Sequence, residues 1–89
     1  MTRHKKTRQV LARLARIEGH VRAVKRMVER GRSCAEVLLQ MAAVRAALDR
    51  AAKVLLADHM EHCLHDLAGD ARARRHLAGL RQAMQRFIR

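Results

Sequence analysis

The 89-residue chain has no proline, no tryptophan and no tyrosine, and its one aromatic residue is Phe87. Without proline, no helical stretch is interrupted by a pyrrolidine ring and its missing N–H. Without aromatic platforms for unpaired bases, single-stranded nucleic acid and RNA are poor candidates as partners. Cysteine is scarce, at Cys34 and Cys63 only. With no secretory signal, both are expected in the reducing cytoplasm, as thiolate ligands or redox groups rather than a structural disulfide. Apolar runs reach only a few residues, so no segment is expected to span a membrane. The opening Met1-Thr2-Arg3-His4-Lys5-Lys6 is charged with no apolar run behind it, unlike a signal peptide. Acidic residues are also few: eight Asp and Glu against twenty Lys and Arg leave a formal charge of +12. Such a field implies a polyanionic partner, with duplex DNA ahead of RNA or an acidic membrane surface. The bland alternative is a basic surface that only keeps the chain solvated.

What is present is apolar and aliphatic. Hydrophobic residues make up 49% of a chain long enough for one small domain, residues 1–89, and that is more apolar surface than so short a monomer covers by itself. A core of Leu, Val, Ala and Met suits helix packed on helix, an all-α fold. The series Val10, Leu14, Ile17, Val21, Val24, Val28 advances in steps of four and three, the stripe of an amphipathic helix close to a heptad seam. Gly31 stops it, and Lys25, Arg26 and Arg30 favour the end of its dipole. A first helix is therefore predicted over about residues 5–30. Ser33 can cap a second helix, with Glu36 completing a capping box. Apolar residues continue from Leu38 to Leu56 with no glycine before Gly69, so this helix is predicted to run to about residue 66. Asp70 can cap a shorter third helix carrying Leu77, Leu80, Met84, Phe87 and Ile88. Two long helices and a short one make a poor bundle alone, whereas two copies of the first hairpin make an antiparallel four-helix core.

Cys34 opens the second helix, and His59 and Cys63 lie one turn apart near its end. The spacing of four lets His59 and Cys63 reach one ion. Twenty-five residues separate Cys34 from His59, about 20° short of seven turns, so all three share a face. Along a straight helix, however, Cys34 and His59 stand about 37 Å apart. Antiparallel pairing of two copies of the helix would bring Cys34 of one to His59 and Cys63 of the other, giving two equivalent sites per two-fold dimer. Two thiolates and an imidazole form a soft, low-coordinate set suited to Cu(I), whereas zinc usually takes a fourth ligand. The competing readings are cysteines that serve as small buried hydrophobes, a surface histidine, and a redox pair of Cys34 with the partner's Cys63.

Arg13-Leu14-x-x-Ile17-x-Gly19-His20, then Cys34, then Gln40-x-Ala42-Ala43-Val44, then Leu55-x-x-x-His59-x-x-x-Cys63 resemble the CsoR/RcnR family of repressors across residues 5 to 88. The resemblance implies a three-helix protomer, a dimeric four-helix core and a tetramer of two dimers. It also implies an apo-protein that holds an operator and releases it when its inducer binds. A Cys–His–Cys set at 34, 59 and 63 resembles the copper-sensing branch, so Cu(I) is the expected inducer. Ni(II) is the alternative, kept by His4 near the tail position that nickel sensors of the family use. Copper-sensing relatives often carry a Tyr before the first Cys, where this chain has Ser33, and a Glu on the third helix, where this chain has none after Glu61. His20, His62, His65 and His76 read as surface or hydrogen-bonding residues.

Eleven of the twenty basic residues precede Cys34, with only Glu18 and Glu29 among them, which makes the first helix and its tail the expected DNA footprint. In the resemblance Arg13 and Arg50 match basic positions tied to operator binding, and Lys5, Lys6, Arg8 and Arg16 extend that face. Phosphate contacts and shape readout are expected, since no helix-turn-helix pattern is visible. An architectural DNA-binding protein with core cysteines is the rival class. An enzyme is not expected, because no nucleophile–base set or phosphate loop is apparent.

Overall fold

A computed structural model describes residues 6–66 and 71–87, with side chains except at 62–66, 71 and 73. Three helices follow one another: α1 over Thr7–Glu29, α2 over Cys34–Asp66 and α3 over Ala71–Phe87. No strand occurs among the described residues. The expected cap at Asp70, Gly69 before it, and Ile88 lie outside the described residues. The chain divides into two compact units, Met1–Asp58 and His59–Arg89.

The turn between α1 and α2 is fixed by local chemistry. Gly31 adopts φ 69°, the one positive φ among the described residues. Its N–H donates to the Val28 carbonyl at 3.1 Å, and the Arg32 N–H donates to the Met27 carbonyl at 3.0 Å. These two bonds are the Schellman arrangement, which satisfies carbonyls that the ending helix leaves open. Ser33 then caps α2: its Oγ accepts the Glu36 N–H at 3.2 Å. The expected capping box forms only by half. The Glu36 carboxylate turns to the Arg32 guanidinium, 2.7 Å away, a partner of opposite charge that competes with the backbone N–H of Ser33.

Within Met1–Asp58, α1 and α2 form an antiparallel hairpin. Lys6, at the start of α1, meets Asp58, and His20, farther along, meets Gln40 at 2.7 Å. The core is thin: Val10, Val24 and Ala51 are the buried hydrophobic residues. The heptad series on α1 divides. Val10 and Val24 are buried and Ile17 half-buried, whereas Leu14, Val21 and Val28 stay exposed. On α2, Leu38, Leu39, Met41, Leu48 and Leu55 are also exposed. The hairpin thus satisfies one seam of its apolar surface and leaves a second uncovered.

The beginning of α1 has no side-chain cap of its own. Asp58, only 5% exposed, supplies one from α2, its Oδ2 accepting the Lys6 N–H at 3.2 Å. A carboxylate there satisfies an open N–H and sits at the positive end of the α1 dipole.

Candidate metal centre and DNA-facing helix

Cys34 is the first residue of α2 and carries a free, exposed thiol. His59 lies about two turns before the end of that helix and is half-buried. Its Nε2 stands 2.5 Å from Nε2 of His76 on α3, with ring centroids 4.7 Å apart and planes tilted by 55°. Cys63 has its backbone in α2, one helical turn past His59, and its side chain lies outside the described residues. Those of His62 and His65 do as well, and so does the whole of His4. Among the described residues, no group of three or more His, Cys, Asp or Glu side chains is placed to hold a metal. An exposed thiol and an imidazole are nonetheless donors of the soft kind that Cu(I) takes.

His76 is exposed and hydrogen-bonded, as expected, but its partner was not disclosed by the sequence. It carries an imidazole seventeen positions after His59 on another helix, and a one-helix periodicity reports nothing about neighbours across helices. His20 does hydrogen-bond, as expected, to Gln40.

The basic residues are distributed unevenly around α1. Lys6, Arg8 and Arg16 are exposed, as is Arg50 on α2, while Lys5 lies outside the described residues. Arg13 is half-buried, and its Nε is buried with no hydrogen-bond partner. The helical period explains this: Arg13 falls beside the buried line of Val10, Ile17 and Val24, so the stem of its side chain lies against the hairpin.

Residues 6–88 match the model of a family described as metal-sensitive transcriptional repressors. The chain is 37% identical over 81 residues to the copper-sensing transcriptional repressor CsoR of Bacillus subtilis, covering 91% of this chain and 80% of that one. It is 46% identical over 52 residues to the copper-sensing repressor RicR of Mycobacterium tuberculosis, covering 58% of this chain and 54% of the relative. Among solved structures, it is similar to the copper-sensing repressor CsoR with Cu(I) from Geobacillus thermodenitrificans. That match has a TM-score of 0.84 and 33% identity, and covers 100% of this chain and 94% of the other. The nickel-responsive transcriptional regulator InrS is similar at a TM-score of 0.75 and 44% identity, covering 99% of both chains.

An all-α chain of three helices with these likenesses is a metal-responsive transcriptional repressor and not an enzyme. It belongs to the metal-sensitive transcriptional repressor family, the CsoR/RcnR family. No described helix is long and apolar enough to cross a membrane.

Proposed function

We propose that this chain is a cytoplasmic Cu(I)-responsive repressor that holds duplex operator DNA in its apo form and releases it when the metal binds. Cys34 of one protomer, with His59 and Cys63 of its partner, forms the inducer site, and residues 1–89 act as one functional domain within a tetramer of two dimers. The observation that carries the reading is a half-buried histidine held in place on a helix that opens on a free, exposed thiol. Association is supported by the uncovered apolar seam that includes Leu14, Val21, Leu38 and Leu48. Copper is supported by two thiolates and one imidazole as donors, and by the copper-sensing relatives. Arg13, Arg16, Lys5, Lys6 and Arg8 form the DNA surface, because the positive charge is concentrated ahead of Cys34, and Arg50 of α2, which matches a basic position tied to operator binding in the family resemblance, joins them. Bound metal must favour the released state over the DNA-bound one, or it shifts nothing.

Ni(II) is the second reading, favoured by the likeness to the nickel-responsive InrS over nearly the whole chain. Fluorescence anisotropy of labelled operator separates the two. Cu(I) is expected to release the wild-type protein, and Ni(II) to do less. His59→Ala is expected to bind operator normally and to stay bound with Cu(I). Equal release of variant and wild type removes His59 from the switch, release by Ni(II) alone establishes the nickel reading, and no response to either metal favours an architectural DNA-binding protein.

A further inference from the structure

Residues 71–89 hold six Arg and no acidic residue, and so carry half of the chain's formal charge of +12. The stretch before them, residues 34–70, holds three basic residues against six acidic ones. Positive charge is therefore gathered at both ends of the chain. The DNA surface proposed for α1, its tail and Arg50 draws mainly on the first end.

Five of the six Arg lie in α3, Ala71–Phe87, which contains no Asp and no Glu. Arg75, Arg81 and Arg86 are also more than four residues beyond Asp70, the last acidic residue of the chain. No carboxylate of their own segment stands one helical turn away to pair with them. At about 100° per residue, Arg81, Gln85, Gln82, Arg75 and Arg86 lie in that order around an arc of about 140°. All five are exposed, whereas Leu77, Leu80 and Met84, on the other side of the helix, are half-buried.

A positive field that its own helix does not compensate fits a polyanion. The arc has no aromatic side chain on which unpaired bases could stack. Leu77, Leu80 and Met84 are engaged in the fold rather than free to enter a lipid surface. Duplex phosphates suit the spacing. Arg75 and Arg86 stand about 16 Å apart along the axis and within about 20° of one line. Long guanidinium arms at that separation can reach the phosphates that border a major groove about 12 Å wide.

We propose that the Arg75–Arg81–Arg86 face of α3 is a second contact with duplex DNA, made to phosphates and without base readout. This rests on the reading of the chain as a repressor that holds duplex DNA. The face adds its contacts to those of α1 and Arg50, and the affinity it supplies is shared by every sequence.

The test compares wild type with two triple variants, all without metal: Arg75→Gln/Arg81→Gln/Arg86→Gln and Arg75→Lys/Arg81→Lys/Arg86→Lys. Gln removes the charge and keeps helix propensity. The three single Gln variants accompany them, so that one lost contact is read even if the triple variant misfolds. Fluorescence anisotropy measures binding to labelled operator and to a random-sequence duplex of equal length across a range of salt. The Gln triple variant is expected to flatten the salt slope by about three units on both duplexes, and each single variant by about one. Binding should weaken roughly tenfold per lost contact at about 0.1 M salt. The ratio of operator to random-duplex affinity should stay near its wild-type value, and the Lys variant should keep most of the slope. An unchanged slope in every Gln variant overturns the proposal. A loss confined to the operator overturns it as well, because the face would then read bases. So does binding to phosphatidylglycerol vesicles that the Gln triple variant loses while its DNA binding is unchanged, which would assign the face to an anionic membrane. Wild type that binds neither duplex overturns the DNA-binding reading beneath the proposal.

Discussion

The backbone N–H of Lys6 donates to Oδ2 of Asp58 at 3.2 Å, joining two residues 52 positions apart. The buried carboxylate completes the start of α1, the helix that carries much of the positive charge, and its sequence neighbour is His59. Asp58→Ala should cost about 1–3 kcal/mol, the usual range when a buried group loses its hydrogen-bond partner. Asp58→Asn, which keeps an acceptor but not the charge, should cost less, on the order of 0.3–1 kcal/mol. Urea denaturation measures both, and Asp58→Ala as stable as wild type would show that the contact adds nothing to stability.

The turn gives a second expectation. A Cβ at Gly31 would meet nothing within 4 Å, so the cost of substitution lies in its φ of 69° alone. Gly31→Ala should therefore lose roughly 1–2 kcal/mol, and Gly31→Asn, which tolerates the left-handed region, should lose less. Equal losses in a denaturation series would place the cost somewhere other than the backbone.

The arrangement proposed for the metal centre makes a complementation experiment decisive. Cys34→Ala and His59→Ala homodimers should each lack an intact site. Heterodimers of the two should regain one site per dimer, read as Cu(I) stoichiometry under anaerobic conditions. Heterodimers that bind no Cu(I) would show that Cys34 and His59 do not serve one ion across a boundary.

For the DNA surface, Arg13→Ala, Arg16→Ala and Arg50→Ala should each weaken operator binding while leaving Cu(I) affinity nearly unchanged. Each lost phosphate contact should flatten the salt dependence by about one unit of slope. Arg13 is half-buried with its Nε orphaned against the hairpin, so Arg13→Ala should also change stability. Normal operator affinity in all three variants would move the footprint off this face.

The helices and their ends were legible because they depend on near neighbours. The 4-and-3 spacing from Val10 to Val28 marked α1, and Gly31 and Ser33 marked the turn, each through bonds spanning no more than five residues. The partner of Glu36 was misjudged because Arg32, just outside the helix, offered a charged alternative to a backbone N–H. The contacts of Asp58 and His76 were not legible, since they depend on which turns of separate helices come together. The chemistry at Cys34 and His59 could be read as donor types at a helical spacing. The apolar richness of α2 could be read as well, but not which part of it the hairpin covers: Leu38 and Met41 look like core in sequence and are exposed.

Small aliphatic side chains make a smooth seam. With Val10, Val24 and Ala51 as the buried hydrophobic residues of the hairpin, sliding α1 by one turn along α2 would exchange one small apolar contact for another at little cost. The polar pairs allow no such exchange. A one-turn slip would leave Asp58 buried without the Lys6 N–H and would part His20 from Gln40. In this hairpin the aliphatic seam supplies adhesion, and two hydrogen bonds, one at its open end and one past the middle of α1, act as a vernier that selects one alignment from several of nearly equal energy.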